Sequence, residues 1–109
     1  LNLHYRVVKL AAAECGFGMA RTYDIQVWLP AEQVYMEVSS VSNARAYQAR
    51  RTNTRYKDDF GRIHHVHTLN GSGLATSRLF AAIIEQNQRA DGSIAVPEAL
   101  LPWMGTNIL

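Results

Sequence analysis

The segment from Thr68 to Arg78 is rich in small polar residues and glycines and ends in an arginine. Its order is Thr-Leu-Asn-Gly-Ser-Gly-Leu-Ala-Thr-Ser-Arg. A β-branched, histidine-rich run precedes this segment and a helix-like pattern follows it. Asn70 offers an amide donor and acceptor, Ser72 a hydroxyl, and Arg78 a fixed positive charge. The pattern predicts a loop that holds a small polar ligand beside an anion.

Each of these residues also has a purely structural interpretation. Asn70 and the glycine after it are typical of turns, and Ser72 suits the N-cap of a helix that begins near Leu74. Arg78 could instead pair with Glu85 across the surface of that helix, with about even odds on spacing alone. The spacing leaves both interpretations open.

A second candidate pair lies near the end of a predicted strand. Glu37 and Ser40 together suit a hard cation such as Mg²⁺ that bridges phosphates, although an exposed, solvated glutamate is the favoured interpretation of the spacing alone. His64, His65 and His67 invite a metal site, but no cysteine lies nearby to complete a zinc set. We expect no metal bound by these histidines.

Hydrophobic periodicity and turn residues predict the elements that position these side chains. Strands are predicted over 5–10, 23–29, 34–40 and 62–69, and a short final element over 96–105. Helices are predicted over 44–56, with Ser42 and Asn43 as N-cap, and over 74–88. The second helix carries an apolar stripe expected to face the core, and two tryptophans complete that core: Thr76, Leu79, Phe80, Ile83, Ile84, Trp28 and Trp103. Short connections favour an α+β fold, an antiparallel sheet flanked by helices.

The composition sets broad limits. The 109 residues are 48% hydrophobic and 18% charged, a globular balance with a net charge of +2. A single cysteine, Cys15, leaves no intramolecular disulfide, so we expect a reducing compartment, the cytoplasm or an organelle. No apolar run approaches the roughly 20 residues of a membrane span. A basic, aromatic stretch could bind nucleic acid, although a solvated helix face is the favoured interpretation: Arg45, Tyr47, Arg50, Arg51, Arg55, Tyr56 and Lys57.

Five segments, in this order, together resemble the catalytic domain of seryl-tRNA synthetase, a class II aminoacyl-tRNA synthetase. They are Tyr-Asp-Ile-Gln-Val-Trp-Leu-Pro at 23–30, Glu-Val-Ser-Ser-Val-Ser-Asn at 37–43, Gln-Ala-Arg-Arg at 48–51, His-Thr-Leu-Asn-Gly-Ser-Gly-Leu-Ala at 67–75 and Ala-Asp-Gly-Ser-Ile-Ala-Val-Pro-Glu at 90–98. The resemblance covers nearly the whole chain. It implies that residues 1–109 form the C-terminal portion of such a catalytic domain, with motif 3 around 68–84.

The resemblance also implies a role for each candidate residue. Glu37 and Ser40 match residues that hold the ATP phosphates through Mg²⁺. Asn70 and Ser72 match positions near the serine substrate. Arg78 matches the motif 3 arginine that contacts the γ-phosphate of ATP and serves catalysis.

The family activates serine with ATP to seryl-adenylate and transfers it to tRNA as a homodimer, with no membrane partner. The N-terminal tRNA-binding arm, which makes most of the tRNA contacts, and motifs 1 and 2 are absent from these residues, so we expect the 109 residues alone to be inactive. The alternative is a non-catalytic, synthetase-derived binding or interaction module. An in-frame motif 2 upstream of Leu1 would favour the ligase, and a start codon just before Leu1 the module.

Overall fold

The structure, a computed structural model, describes residues 1–109 and combines strands with helices. The strands are β1 (Tyr5–Lys9), β2 (Arg21–Leu29), β3 (Val34–Arg45), β4 (Arg55–Lys57), β5 (Ile63–His65) and β6 (Thr68–Gly71). The helices are α1 (Tyr47–Thr52), α2 (Thr76–Asn87) and α3 (Leu101–Met104), with a 3₁₀ turn at Glu98–Leu100. This mixture confirms the predicted α+β class. No helix among these residues has the length and apolar character needed to cross a membrane.

Four strands form one sheet in the order β1-β2-β3-β6, while β4 and β5 form a separate two-stranded sheet. Residues 30–33 join the neighbouring strands β2 and β3. A connection this short permits only antiparallel pairing. β6 runs antiparallel to β3, and β5 runs antiparallel to β4. The predicted antiparallel sheet is therefore confirmed.

The contacts of the chain divide it into two compact units. The first unit comprises Leu1–Arg6, Ile25–Val38 and Leu74–Leu109, and the second comprises Val7–Asp24 and Ser39–Gly73. The buried residues of the first unit are Val27, Leu29, Val38, Ala82 and Pro97. Those of the second unit are Thr22, Asp24, Ser42, Ala44 and Ala49. Each unit thus has buried residues of its own.

In the first unit, α2 packs Ala82 against the strands. Ala82 is fully buried, and Leu79, three residues earlier on the same helix face, packs against the core cluster. The predicted stripe is wrong at Thr76, which is exposed, and at Phe80, which is 62% exposed, and the predicted core residue Trp103 is 80% exposed. A buried alanine lets the helix approach the strands more closely than phenylalanine would, which rotates Phe80 outward.

In the second unit, the helix predicted over 44–56 is wrong at both ends. β3 continues to Arg45, and only α1 is helical, while the last predicted helical residues form β4. Ser42 is buried in β3, where its hydroxyl lies 2.8 Å from that of Thr22. Asn43 Oδ1 accepts a 2.8 Å hydrogen bond from the Arg45 amide, at a bulge in the pairing with β6. Neither residue therefore caps a helix: Ser42 is buried within β3, and Asn43 forms a hydrogen bond at the end of that strand.

The strand predicted over 62–69 is also wrong, because it is divided between two sheets. β5 pairs with β4, and β6 begins at Thr68 and pairs with β3. Residues 91–93 form a turn, in which Gly92 has a φ of +86° and Asp91 Oδ1 accepts a 3.0 Å hydrogen bond from the Ser93 amide. A left-handed glycine, Gly105 with a φ of +65°, ends α3.

Candidate functional site

Two of the predicted site residues contact each other in the first unit. Glu37 lies in β3 and Arg78 in the first turn of α2, and both are exposed. Arg78 Nη1 donates a 2.7 Å hydrogen bond to the backbone carbonyl oxygen of Glu37. This bond uses one of the five N–H donors of the guanidinium and none of the oxygens of the Glu37 carboxylate. A cationic fork and a carboxylate thus remain open to solvent at the same place on β3.

The alternative pairing of Arg78 with Glu85 is not formed. Glu85 Oε2 instead accepts a 3.1 Å hydrogen bond from the amide of Ala31, in the connection between β2 and β3. The one short contact between a basic and an acidic side chain joins His64 Nε2 and Asp58 Oδ2, at 2.8 Å. Arg78 is therefore held by a neutral carbonyl, which leaves its full charge available to an anion.

The other three predicted site residues lie in the second unit. Ser40 is half-buried in β3, Asn70 is exposed in β6, and Ser72 is exposed just after β6. Antiparallel pairing places Asn70 opposite Ser42, two residues along β3 from Ser40. Ser40 and Asn70 therefore lie on adjacent strands of the sheet, close to each other in register.

Sequence reasoning missed Ser39 as a residue that positions this region. Its hydroxyl donates a 2.8 Å hydrogen bond to the backbone carbonyl of Ser72. The bond fastens the segment after β6 to β3, 33 residues earlier in the chain. Its position next to Ser40 was the only available signal, because a strand-to-loop bond over this separation leaves no local pattern.

Two structural interpretations of the glycine-rich segment are wrong. Asn70 and Gly71 do not form a turn but belong to β6, where Gly71 lies opposite Val41. A Cβ added at Gly71 would lie 3.2 Å from Val41 Cγ2, so glycine permits this close approach. Ser72 does not cap α2, because the N-cap is Ala75, without a side-chain hydrogen bond. The hydroxyl of Ser72 therefore remains free for a ligand.

The donor set suits ATP phosphates and a divalent cation in its chemistry. The exposed carboxylate of Glu37 is a hard oxygen ligand, and the guanidinium of Arg78 matches phosphate oxygens. No group of three or more histidine, cysteine, aspartate or glutamate side chains is arranged to hold a metal ion by itself. A cation here would need oxygen ligands from its substrate, as Mg²⁺ commonly takes from phosphates.

Comparison with known proteins now decides the family. Residues 1–87 match the model of the tRNA synthetase class II core domain (G, H, P, S and T). The chain belongs to this family.

Relatives of this class II core domain are named serine–tRNA ligases. The protein of Methylobacillus flagellatus is 55% identical over 105 residues, which is 96% of this chain and 24% of the relative. The protein of Delftia acidovorans is 54% identical over 109 residues, 100% of this chain and 25% of the relative. The chain thus spans about a quarter of the length of the curated relatives it matches.

Two solved structures of seryl-tRNA synthetases also resemble this chain. Seryl-tRNA synthetase from Pyrococcus horikoshii, complexed with ATP, is 39% identical with a TM-score of 0.88 over 95% of this chain and 24% of that chain. Cytoplasmic serine–tRNA ligase from Naegleria fowleri, in complex with AMP, is 34% identical with a TM-score of 0.83 over 95% of this chain and 25% of that chain. The predicted resemblance to seryl-tRNA synthetase is confirmed. The roles of the individual site residues stay predictions.

Proposed function

We propose that these residues form part of a serine–tRNA ligase, which activates serine with ATP to seryl-adenylate and transfers the seryl group to tRNA. The observation that carries the proposal is the 54% identity over all 109 residues to the ligase of Delftia acidovorans. That identity extends across β3, β6, α2 and the segment between β6 and α2, which together carry every candidate site residue.

In this proposal, Arg78 binds the γ-phosphate of ATP. The carboxylate of serine attacks the α-phosphate, and negative charge on the phosphate oxygens must be stabilised as pyrophosphate leaves. The hydrogen bond to the Glu37 carbonyl fixes the guanidinium before ATP binds. The Arg78 side chain therefore loses little conformational entropy on binding. Glu37 and Ser40 would hold Mg²⁺ together with phosphate oxygens, and the bound cation would neutralise phosphate charge.

Serine would be bound by the segment at the end of β6. The Asn70 amide can both donate and accept, which suits a substrate with an ammonium, a carboxylate and a hydroxyl. The Ser72 hydroxyl does not cap α2, and the Ser39 hydroxyl holds the Ser72 backbone in place. A site that hydrogen-bonds a substrate hydroxyl rejects analogues that lack it, because its own polar groups are then left unpaired.

The remaining partners belong to the same proposal. The ligase would act on tRNA, would work as a homodimer and would function in the cytoplasm.

Amino-acid-dependent exchange of pyrophosphate into ATP tests the proposal. The whole protein is assayed with each of the standard amino acids in turn, and we expect exchange with serine alone. Alanine, which lacks only the hydroxyl, should be rejected by a factor of about 10⁴. Exchange driven by another amino acid would refute the assignment of serine. Absence of exchange with every amino acid would favour the non-catalytic binding module.

A further inference from the structure

Asp24 is buried in β2, and one of its carboxylate oxygens has no hydrogen-bond partner. The residue is 7% exposed, and its Oδ1 atom is shielded from solvent and accepts no hydrogen bond. A buried carboxylate is costly unless a hydrogen-bond donor or a positive charge compensates it. Protein beyond these residues can only increase the burial of Asp24. The neighbours of Asp24 on the sheet therefore indicate which group the unused oxygen serves.

The alternation of side chains along β2 and β3 identifies the face of the sheet that carries Asp24. Thr22 and Asp24 are alternate residues of β2 and share one face. The Thr22 hydroxyl lies 2.8 Å from that of Ser42 in β3, so Ser42 is on this face too. Ser42 lies opposite Asn70 of β6, and residues directly opposite each other share a face. Asp24 is therefore on the same face as Asn70, a residue proposed to bind serine.

The pairing of β2 with β3 places Ser40 next to Asp24. Because neighbouring strands here are antiparallel, a step forward along β2 corresponds to a step back along β3. From the contact of Thr22 with Ser42, two residues along each strand lead to Asp24 and Ser40. The same register groups the residues between them on the opposite face, and these do line one cleft there: Arg21, Tyr23, Val41 and Asn43.

The hydroxyl of Ser40 needs an acceptor if it is to bind a cation. A hydroxyl oxygen that ligates a cation directs its lone pairs toward the cation, so its hydrogen must point elsewhere. The hydroxyls of Thr22 and Ser42 are engaged with each other, whereas Asp24 Oδ1 is unused. An acceptor behind a ligating side chain fixes its direction and raises its basicity. Asp24 has the charge, the burial and the position in register for this task.

We propose that Asp24 is a positioning residue that accepts the hydrogen of the Ser40 hydroxyl when ATP and its cation bind. The Ser40 oxygen then faces the cation, and the cation in turn compensates the buried charge of Asp24. This inference rests on the proposed function, because it requires ATP and Mg²⁺ at Ser40. Asp24 contacts neither substrate and acts through Ser40.

Calorimetric titration of the whole protein with ATP, at a series of Mg²⁺ concentrations and without serine or tRNA, tests the proposal. Asp24→Asn keeps the shape of the side chain and removes its charge. We expect this variant to need about tenfold more Mg²⁺ for half-maximal ATP binding, because the ligating hydroxyl is no longer held by a carboxylate. Asp59→Asn removes an exposed carboxylate of the same unit and should keep the wild-type requirement.

A double-mutant cycle shows whether Asp24 acts through Ser40. In a Ser40→Ala background, Asp24→Asn should not raise the Mg²⁺ requirement further, because the hydroxyl that Asp24 orients is already missing. In pyrophosphate exchange, Asp24→Asn should raise KM for ATP and leave KM for serine unchanged. The Tm of Asp24→Asn should not fall, since the substitution removes a buried charge.

Two results would overturn this inference and leave the proposed function standing. One is an equal Mg²⁺ requirement in Asp24→Asn and the wild-type protein, or full additivity of Asp24→Asn and Ser40→Ala. The other is a lower Tm in Asp24→Asn together with an equal rise of both KM values, which would show that Asp24 pairs with a cationic group of the fold. Failure of the wild-type protein to bind ATP with Mg²⁺ would overturn the proposed function and this inference together.

Discussion

Arg78 donates a 2.7 Å hydrogen bond from Nη1 to the backbone carbonyl oxygen of Glu37, 41 residues earlier in the chain. The bond sets the direction of the guanidinium without neutralising it, because the acceptor is a peptide carbonyl. The Glu37 carboxylate stays free on the same residue. The Arg78 guanidinium is therefore available to a phosphate, and the Glu37 carboxylate is available to the metal ion that accompanies the phosphate.

Ser39 is expected to act as a positioning residue for serine. Ser39→Ala removes the 2.8 Å bond to the Ser72 carbonyl, and a bond of this kind is worth about 0.5–1.5 kcal/mol. In serine-dependent exchange by the whole protein, KM for serine should rise about 2- to 10-fold, while KM for ATP stays unchanged.

The matched control is Ser77→Ala, which changes an exposed serine in α2. It should leave both KM values at the wild-type level. An equal rise of both KM values in Ser39→Ala would contradict a specific role at the serine site and would indicate a general loss of structure.

Gln86 is expected to hold the N-terminal segment of the first unit in place. Its Oε1 accepts from the His4 amide at 2.6 Å, and its Nε2 donates to the carbonyls of His4 at 3.2 Å and Trp28 at 2.7 Å. Gln86→Ala removes these bonds, of which each is worth about 0.5–1.5 kcal/mol, while the His4 carbonyl keeps its 2.9 Å bond from the Trp28 amide. Amide hydrogen exchange of His4 should then accelerate about tenfold or more. Gln88→Ala, an exposed neighbour, should not change it; equal exchange in both variants would refute the role.

How far the sequence predicts this fold depends on whether the signal is local. Period-two alternation over 23–29, which ends at Pro30, predicts β2, and the helical periodicity over 74–88 predicts α2. Each of these signals acts within a few residues. They sufficed for the α+β class and for the general positions of β1, β2 and α2.

Elements formed by distant partners were not predictable in the same way. Asn70 and Gly71 read as a turn, yet pairing with β3 makes them a strand. Phe80 read as core, yet Ala82 takes that position because the distance between helix and strands selects a small residue. The candidate site follows the same division: residue types identified Arg78, while its acceptor on Glu37 required the folded chain.

The hairpin formed by β4 and β5 is expected to respond to acid through Asp58. The amide of Arg62, at 2.8 Å, the ring of His64, at 2.8 Å, and the amide of Phe60, at 3.0 Å, all contact the Asp58 carboxylate. Together they lower the pKa of Asp58 from its usual 3.8, with the Arg62 amide contributing most. These bonds favour the charged carboxylate, so their stabilisation is present above pH 3.8 and is lost as the pH falls through the lowered pKa.

The amide proton chemical shifts of Phe60 and Arg62, followed by NMR during acidification, check this expectation. Both shifts should move together in a step below about pH 4. Asp58→Asn should abolish the step, and Asp59→Asn should retain it. A midpoint above the usual carboxyl pKa in the wild-type protein would contradict the direction of the shift.

The most direct test of the central claim is serine-dependent ATP–pyrophosphate exchange by the whole protein with and without the Arg78 side chain. We predict that Arg78→Ala lowers the exchange rate about 10²- to 10³-fold, because a preorganised group facing transition-state charge is lost. Arg89→Ala, an exposed arginine of the same unit, should retain the wild-type rate. Wild-type exchange in Arg78→Ala would contradict the claim that this guanidinium binds the phosphates of ATP.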